Sequence, residues 1–155
     1  MILGVTGHRD MQHTNQEVAR IIKAQLMLRK PDEVITGMAL GYDSLVADVC
    51  IELNIPYIGA IPFEGQHLKW STAQQVHYSY LVSKAKSCVW TDNEGYAIWK
   101  FHKRNRWIVD HSDVIMTYYD HRKEGGSYEA VKYAVQQSKE VINIYEQLQN
   151  TVSRV

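Results

Sequence analysis

Short apolar runs alternate along the chain with stretches of helical periodicity. Ile2-Leu3-Gly4-Val5 reads as a buried strand that ends at Thr6-Gly7-His8-Arg9-Asp10. Thr14-Asn15-Gln16-Glu17 has the form of a capping box, in which the first and last side chains each accept the other residue's free backbone N–H. Val18, Ile21, Ile22 and Leu26 then form one helical stripe, which Pro31 should terminate. Val34-Ile35-Thr36 predicts a second strand. Residues 43–54 predict a second helix, with Leu45, Val46, Val49, Cys50 and Leu53 on its apolar face. A third strand covers 56–61 and is closed by Pro62. A third helix starts at Ser71, again with a Ser-x-x-Gln box, and carries Val76, Tyr80 and Leu81. Strands four and five fall at 87–90 and 113–118, and the helix between them has Ile98, Phe101, Asn105 and Ile108 on one face. Gly125-Gly126-Ser127 opens a last amphipathic helix bearing Ala130, Val131, Ala134 and Val135. A sixth strand is expected at 141–145, and the last eight or so residues are expected to fray.

Alternating strands and helices with near-continuous apolar strands are the mark of a parallel sheet covered on both faces. The expectation is an α/β fold: one doubly wound Rossmann-like domain over 1–155, with a mostly parallel sheet of five to six strands. The length of 155 residues leaves little for a second domain. The 17 basic and 17 acidic side chains cancel, and such neutrality argues against a protein that coats nucleic acid or a membrane surface. It leaves room for a local basic pocket. Cys50 and Cys88 cannot form a disulfide framework or a four-ligand zinc site. The opening MILGVTGHRD turns polar too early for a signal peptide, and no apolar run is long enough to span a bilayer, so the expected setting is the cytoplasm.

In such sheets the ligand crevice lies at the carboxyl ends of the strands. This chain places glycine, hydroxyl, His, Arg and carboxylate groups there, in five successive loops. Two loops suit phosphate. Gly37-Met38-Ala39-Leu40-Gly41-Tyr42-Asp43 and Gly125-Gly126-Ser127 each allow close backbone approach and lead into a helix N-terminus with free N–H groups. Neither is a Walker A loop or a G-x-G-x-x-G fingerprint, and either alone also reads as a tight turn and cap. Arg9 suits bidentate pairing with a phosphate or carboxylate, or equally a tie to Asp10 or Asp43. His8 has no nucleophile beside it and reads as a loop-shaping or ligand-contacting residue. Asn105 lies on an apolar stripe, so its amide needs a partner, either a neighbouring loop or a ligand's polar edge. Arg104 and Arg106 flank it, and either could reach an anion. Glu129, in the first turn of the last helix, complements the helix dipole; its sharper role is to act on a bound sugar. His67, His77, His102, His111 and His121 show no metal-ligand spacing, and no metal or cofactor is expected.

At these motifs the chain resembles the SLOG superfamily, specifically its YpsA-like branch. The resemblance covers nearly the whole chain. It is carried by Thr6-Gly7-His8-Arg9, by 37–43, by Pro62-Phe63-Glu64 with Gln66 and Trp70, by Arg104-Asn105 through Ser112-Asp113, and by Gly125-Gly126-Ser127 with Tyr133-Ala134. It implies a pocket for a nucleotide or nucleotide derivative and a homodimer or higher homo-oligomer. Within the superfamily, LOG enzymes cleave the N-glycosidic bond of nucleoside monophosphates with an Arg and a Glu beside a Gly-Gly-x-Gly-Thr-x-x-Glu motif. Other members sense NAD-derived or ADP-ribose-like signals, and DprA holds single-stranded DNA. Here Gly125-Gly126 is followed by Ser127-Tyr128-Glu129, without the second Gly-Thr pair, which sets Glu129 closer to the glycines than the LOG pattern requires.

Three readings follow. The first is a sensor or sequestering binder of a nucleotide, ADP-ribose or NAD-like ligand. In it Thr6, Gly7, His8, Arg9, Gly37, Met38, Ala39, Gly41, Asp43, Arg104, Asn105, Gly125, Gly126 and Ser127 line the site, and Tyr42, Phe63 or Trp90 supplies a stacking surface. The second is a hydrolase of an N-glycosidic bond, with Glu129 or Glu64 acting on the sugar. The third is a protein-binding adaptor with a vestigial pocket.

Overall fold

A computed structural model describes residues 1–153, with side chains described through residue 149. Six parallel strands form one sheet in the order β4-β3-β2-β1-β5-β6: β1 (Ile2–Gly7), β2 (Glu33–Thr36), β3 (Tyr57–Ile61), β4 (Ser87–Trp90), β5 (Val114–Tyr118) and β6 (Glu140–Asn143). The helices are α1 (Asn15–Arg29), α2 (Tyr42–Leu53), α3 (Thr72–Lys84), α4 (Ile98–Asp110), α5 (Gly126–Gln136) and α6 (Ile144–Ser153). The order reverses between β1 and β5. Loops leaving these two neighbours diverge there, and a crevice opens above them.

Side-chain alternation sorts the core into two layers. Leu3, Val5, Val34, Met116 and Tyr118 pack with Val18, Ile22 and Leu26 of α1 and Val46 and Val49 of α2. The other face is thinner: Ile35, Ala60 and Ile115 meet Ile108 and Val109 of α4 and Ala134 of α5. Gly4 lies on that side, where a Cβ would fall 2.8 Å from Ile108 Cγ2 of α4 and 2.2 Å from Ser112 Oγ just beyond it, so α4 seats directly on β1.

Local signals act largely as read. At α1 only one half of the expected box forms, Thr14 Oγ1 accepting the Glu17 N–H at 3.1 Å, and the helix ends at Lys30 in the left-handed conformation just before Pro31. Ser71 and Gln74 form the complete reciprocal box at α3. Several expectations differ, among them Ile98 of α4 and Val135 of α5, expected on apolar faces and 64% and 63% exposed. The sixth strand stops at Asn143, and Ile144, expected in that strand, instead begins α6, where Ile144 and Leu148 are buried; the final two residues lie outside those described. On α3, Val76 and Tyr80 face solvent while Tyr78 and Leu81 are buried, because the helix offers only a narrow stripe to α2.

Candidate functional site

Above the β1/β5 switch point lies a cleft of about 910 Å³, walled by the β1 and β5 loops, α4 and the start of α5. Thr6, Gly7, His8 and Arg9 line it from β1, and Ala39 and Asp43 from the loop into α2. Arg104 and Asn105 come from α4, and Gly125, Gly126, Ser127 and Glu129 from the opening of α5. These residues were singled out in the sequence, and the fold brings them together.

Its structural brace is Arg104, which is buried despite its charge. Nη1 donates to Gly37 O at 2.6 Å and Ala60 O at 3.4 Å, and Nε donates to Asn105 Oδ1 at 2.8 Å. Asn105 Nδ2 in turn donates to Gly126 O at 3.4 Å. One side-chain pair on α4 thus ties the loop after β2 to the glycine loop of α5, the anchoring role among those considered for Asn105. Asp43 sits against the same brace. Its Oδ2 accepts the Ala39 N–H at 3.4 Å, and Oδ1 is buried without a partner. Burial pushes its carboxyl up to about 6, while Arg104, the Ala39 N–H and Arg9 pull the other way.

A second cluster holds the β5 loop. Arg122 reaches Asp120 through Nε at 2.9 Å and Nη2 at 2.7 Å, and lies 3.6 Å from Asp10. The hydrogen bond from Arg122 holds the Asp120 carboxyl far below the usual carboxylate range. Burial, and then the charge of Arg122, lower the pKa of His8, while the Asp120 carboxylate, 3.1 Å from its Nε2, pulls the other way. His8 Nε2 accepts the Asp120 N–H at 3.2 Å. Arg122, not Arg9, therefore ties down Asp10.

The remaining cations are free to act on a ligand. Arg9 is exposed and lies over the Trp70 ring at 5.8 Å, and Arg106 lies 5.2 Å from the Tyr133 centroid. Among the described residues neither makes an ion pair. At α5, Gly125 has φ +92° with open space where a Cβ would lie, and no side chain caps the helix. The first-turn N–H groups and the Ser127 hydroxyl, which has no partner among the described residues, thus open onto the cleft.

Seven expected positions do not line the cleft. Tyr42 is fully buried, its hydroxyl donating to Met116 O at 3.0 Å, and Met38 is a core side chain. Gly37 is filled in by its neighbours, since a Cβ would meet Arg104 Nη1 at 2.5 Å. Gly41, at φ +81°, would place a Cβ 2.3 Å from Arg9 O, so it permits contact between two loops rather than with a ligand. Phe63 is buried against Phe101, and Glu64 is exposed elsewhere. Trp90 is 50% exposed at the far edge of the sheet, on β4.

The cleft is also lined by Asp10, Tyr96, Ile98, Phe101, His102 and Arg106, and on the other wall by Arg122, Lys123, Glu124 and Ala130; apart from Arg106, none belongs to the motifs that point to a site. The i, i+4, i+8 spacing of Ile98, His102 and Arg106 was the available signal. Among the described residues no group of three or more His, Cys, Asp or Glu side chains is placed to hold a metal, and no helix is long and apolar enough to cross a membrane.

A parallel α/β sheet with this edge is the architecture of SLOG-type domains. The YpsA family model, described as the YspA SLOG family, matches residues 3–151, and the chain belongs to that family. A UPF0398 protein of Staphylococcus haemolyticus is 31% identical over 94 residues, 56% of this chain and 49% of its own length. The SPbeta prophage-derived protein YoqJ of Bacillus subtilis is 31% identical over 108 residues, 59% of this chain and 63% of its own. The chain thus spans between about half and two-thirds of these curated relatives. Among solved structures, DNA processing protein A (DprA) from Streptococcus pneumoniae superposes with TM-score 0.70 at 18% identity, covering 90% of this chain and 48% of that one. DprA from Helicobacter pylori, described for its single-stranded DNA binding mode, gives 0.66 at 18%, covering 91% and 63%. The molybdenum cofactor carrier protein of Chlamydomonas reinhardtii gives 0.59 at 17%, covering 90% and 73%. At these identities the likeness concerns the fold alone.

Proposed function

We propose that this chain binds a phosphorylated small molecule of the nucleotide class, ADP-ribose- and NAD-like ligands included, in the cleft above β1 and β5, as a sensor or sequestering binder. One observation carries the reading: the uncapped start of α5, with the unpartnered Ser127 hydroxyl, opens onto a cleft holding two guanidinium groups with no ion pair. A helix N-terminus offers aligned N–H groups and the positive end of a dipole, and Arg matches phosphate geometry. The neighbours described for single-stranded DNA and for a molybdenum cofactor support a ligand-holding role for this fold. They also weaken the argument from net charge against nucleic acid, because the chain's formal neutrality coexists with Arg9, Arg104, Arg106, Arg122 and Lys123 in one cleft.

The hydrolase reading retains Glu129, exposed beside the glycine loop, and loses Glu64. One assay separates the two. Purified protein is incubated with nucleoside monophosphates, NAD, ADP-ribose and a short single-stranded oligonucleotide, then denatured, and both fractions are identified by mass spectrometry. Intact nucleotide released on denaturation, and lost in Arg106→Ala, is the expected result. Free base with ribose phosphate would favour hydrolysis and make Glu129→Gln the next variant. Retention of the oligonucleotide alone would overturn the small-molecule reading. Self-association, a homodimer first, is a separate expectation that sedimentation would check.

A further inference from the structure

We propose that Tyr96 is the stacking platform for a planar heterocycle, so that the cleft reads a ring at the start of α4 and a phosphate at the start of α5. This rests on the phosphate reading above. Tyr96 lines the cleft and is 71% exposed. Its loop is pinned. Lys100, in the first turn of α4, is buried, and its Nζ donates to the carbonyls of Asn93 at 3.0 Å, Glu94 at 3.1 Å and Gly95 at 2.8 Å. An ammonium has three N–H donors, and here each finds a carbonyl in the three residues immediately before Tyr96. Behind Tyr96, Phe63 and Phe101 meet its ring edge-on, with centroids 6.1 and 5.9 Å away and interplanar angles of 84° and 63°. Edge-on backing of this kind orients an aromatic ring that can still take an offset-stacked partner.

The helix between the two ends is graded in polarity. Ile98, His102 and Arg106 follow at i, i+4 and i+8 on the cleft wall, from apolar through imidazole to guanidinium. Asn105, whose amide touches Gly126, lies roughly 10 Å along the α4 axis from Ile98 at 1.5 Å per residue. A phosphate alone cannot touch both ends. A ring joined to phosphate through a pentose can, with its apolar part beside Tyr96 and its anion beside Ser127 and Arg106. The ligand class is therefore a nucleoside phosphate rather than a phosphorylated sugar.

The test is calorimetric titration of the full chain with AMP, GMP, CMP, UMP and ribose 5-phosphate, using wild type, Tyr96→Ala, Tyr96→Trp and Lys100→Met. Stacking on an aromatic side chain predicts that the best nucleotide binds wild type at least about fivefold tighter than ribose 5-phosphate. Tyr96→Ala should remove that advantage without changing ribose 5-phosphate affinity, and Tyr96→Trp should restore it. Lys100 is a positioning residue, and Lys100→Met should weaken nucleotide binding selectively. Unchanged nucleotide affinity in Tyr96→Ala, or equal weakening of both ligands, would overturn the assignment while leaving the phosphate site standing. Absence of binding by every ligand to wild type would overturn the assignment, and would sink the phosphate reading too if ADP-ribose and NAD also fail to bind.

Discussion

Asp43→Asn removes one titratable group with almost no change of shape. The wild-type carboxyl is 5% exposed, and burial raises it from 3.8 to about 6 despite the nearby Arg104. Between those values the native chain holds a proton that the unfolded chain has released. Stability therefore falls as pH rises through that window, and the loss is complete above it. A rise of roughly two pH units at 1.36 kcal/mol each is worth about 3 kcal/mol. Asparagine does not titrate, and every other ionisable group is common to both proteins. Any fixed cost of the amide beside the Ala39 N–H is the same at every pH. The difference in unfolding free energy should therefore move in favour of the variant by about 3 kcal/mol between about pH 3.5 and pH 7. Urea unfolding followed by far-UV circular dichroism across that range measures it. A difference that stays flat with pH, or moves the other way, would show that Asp43 ionises at least as readily in the native state as in the unfolded one.

Three further outcomes test the assignment of residues to core or cleft. Tyr42→Phe loses the hydrogen bond to Met116 O and should cost about 1 kcal/mol in urea unfolding while leaving ligand affinity unchanged. Gly41→Ala drives a Cβ into the Arg9 backbone at a positive φ and should cost more than about 2 kcal/mol, whereas Gly125→Ala meets open space and should cost about 1 kcal/mol from strain alone. Trp90→Ala, on the far edge strand, should not alter ligand affinity in the same titrations.

The layered sheet was legible because each strand is a short apolar run bounded by Gly, Pro or polar residues, and the helix starts at Thr14 and Ser71 carry capping hydroxyls. α6 was hidden because Val141, Ile142 and Ile144 run straight from strand into helix, and so short a β-branched run fits either period. The loops bearing the cleft were legible from their place after strands. Arg104 was harder: within Lys103-Arg104-Asn105-Arg106 it looks like one charge of a solvated run. Only its i+4 relation to Lys100 and Ile108, both buried, marks the inward phase. Ring-bearing residues misled by type. Tyr42 and Phe63 are aromatic and close to the motifs, but the helix start and the β3 loop turn them inward, while Tyr96 lies in a polar, glycine-containing turn that reads as connecting loop. Net charge misled through averaging, since cancellation over the chain says nothing about where its cations gather.

The brace through Arg104 and Asn105 has a kinetic consequence. The loop after β2 and the glycine loop of α5 hang on one helix: Gly37 O on the guanidinium, Gly126 O on the amide, and the two side chains on each other. Loops joined in this way cannot open independently of each other, so their relative motion does not gate capture. In stopped-flow mixing, the observed rate should then climb linearly with ligand concentration and show no plateau, and added salt should slow it for an anionic ligand. A mouth propped open in the resting protein exchanges its guest at the pace of encounter and escape.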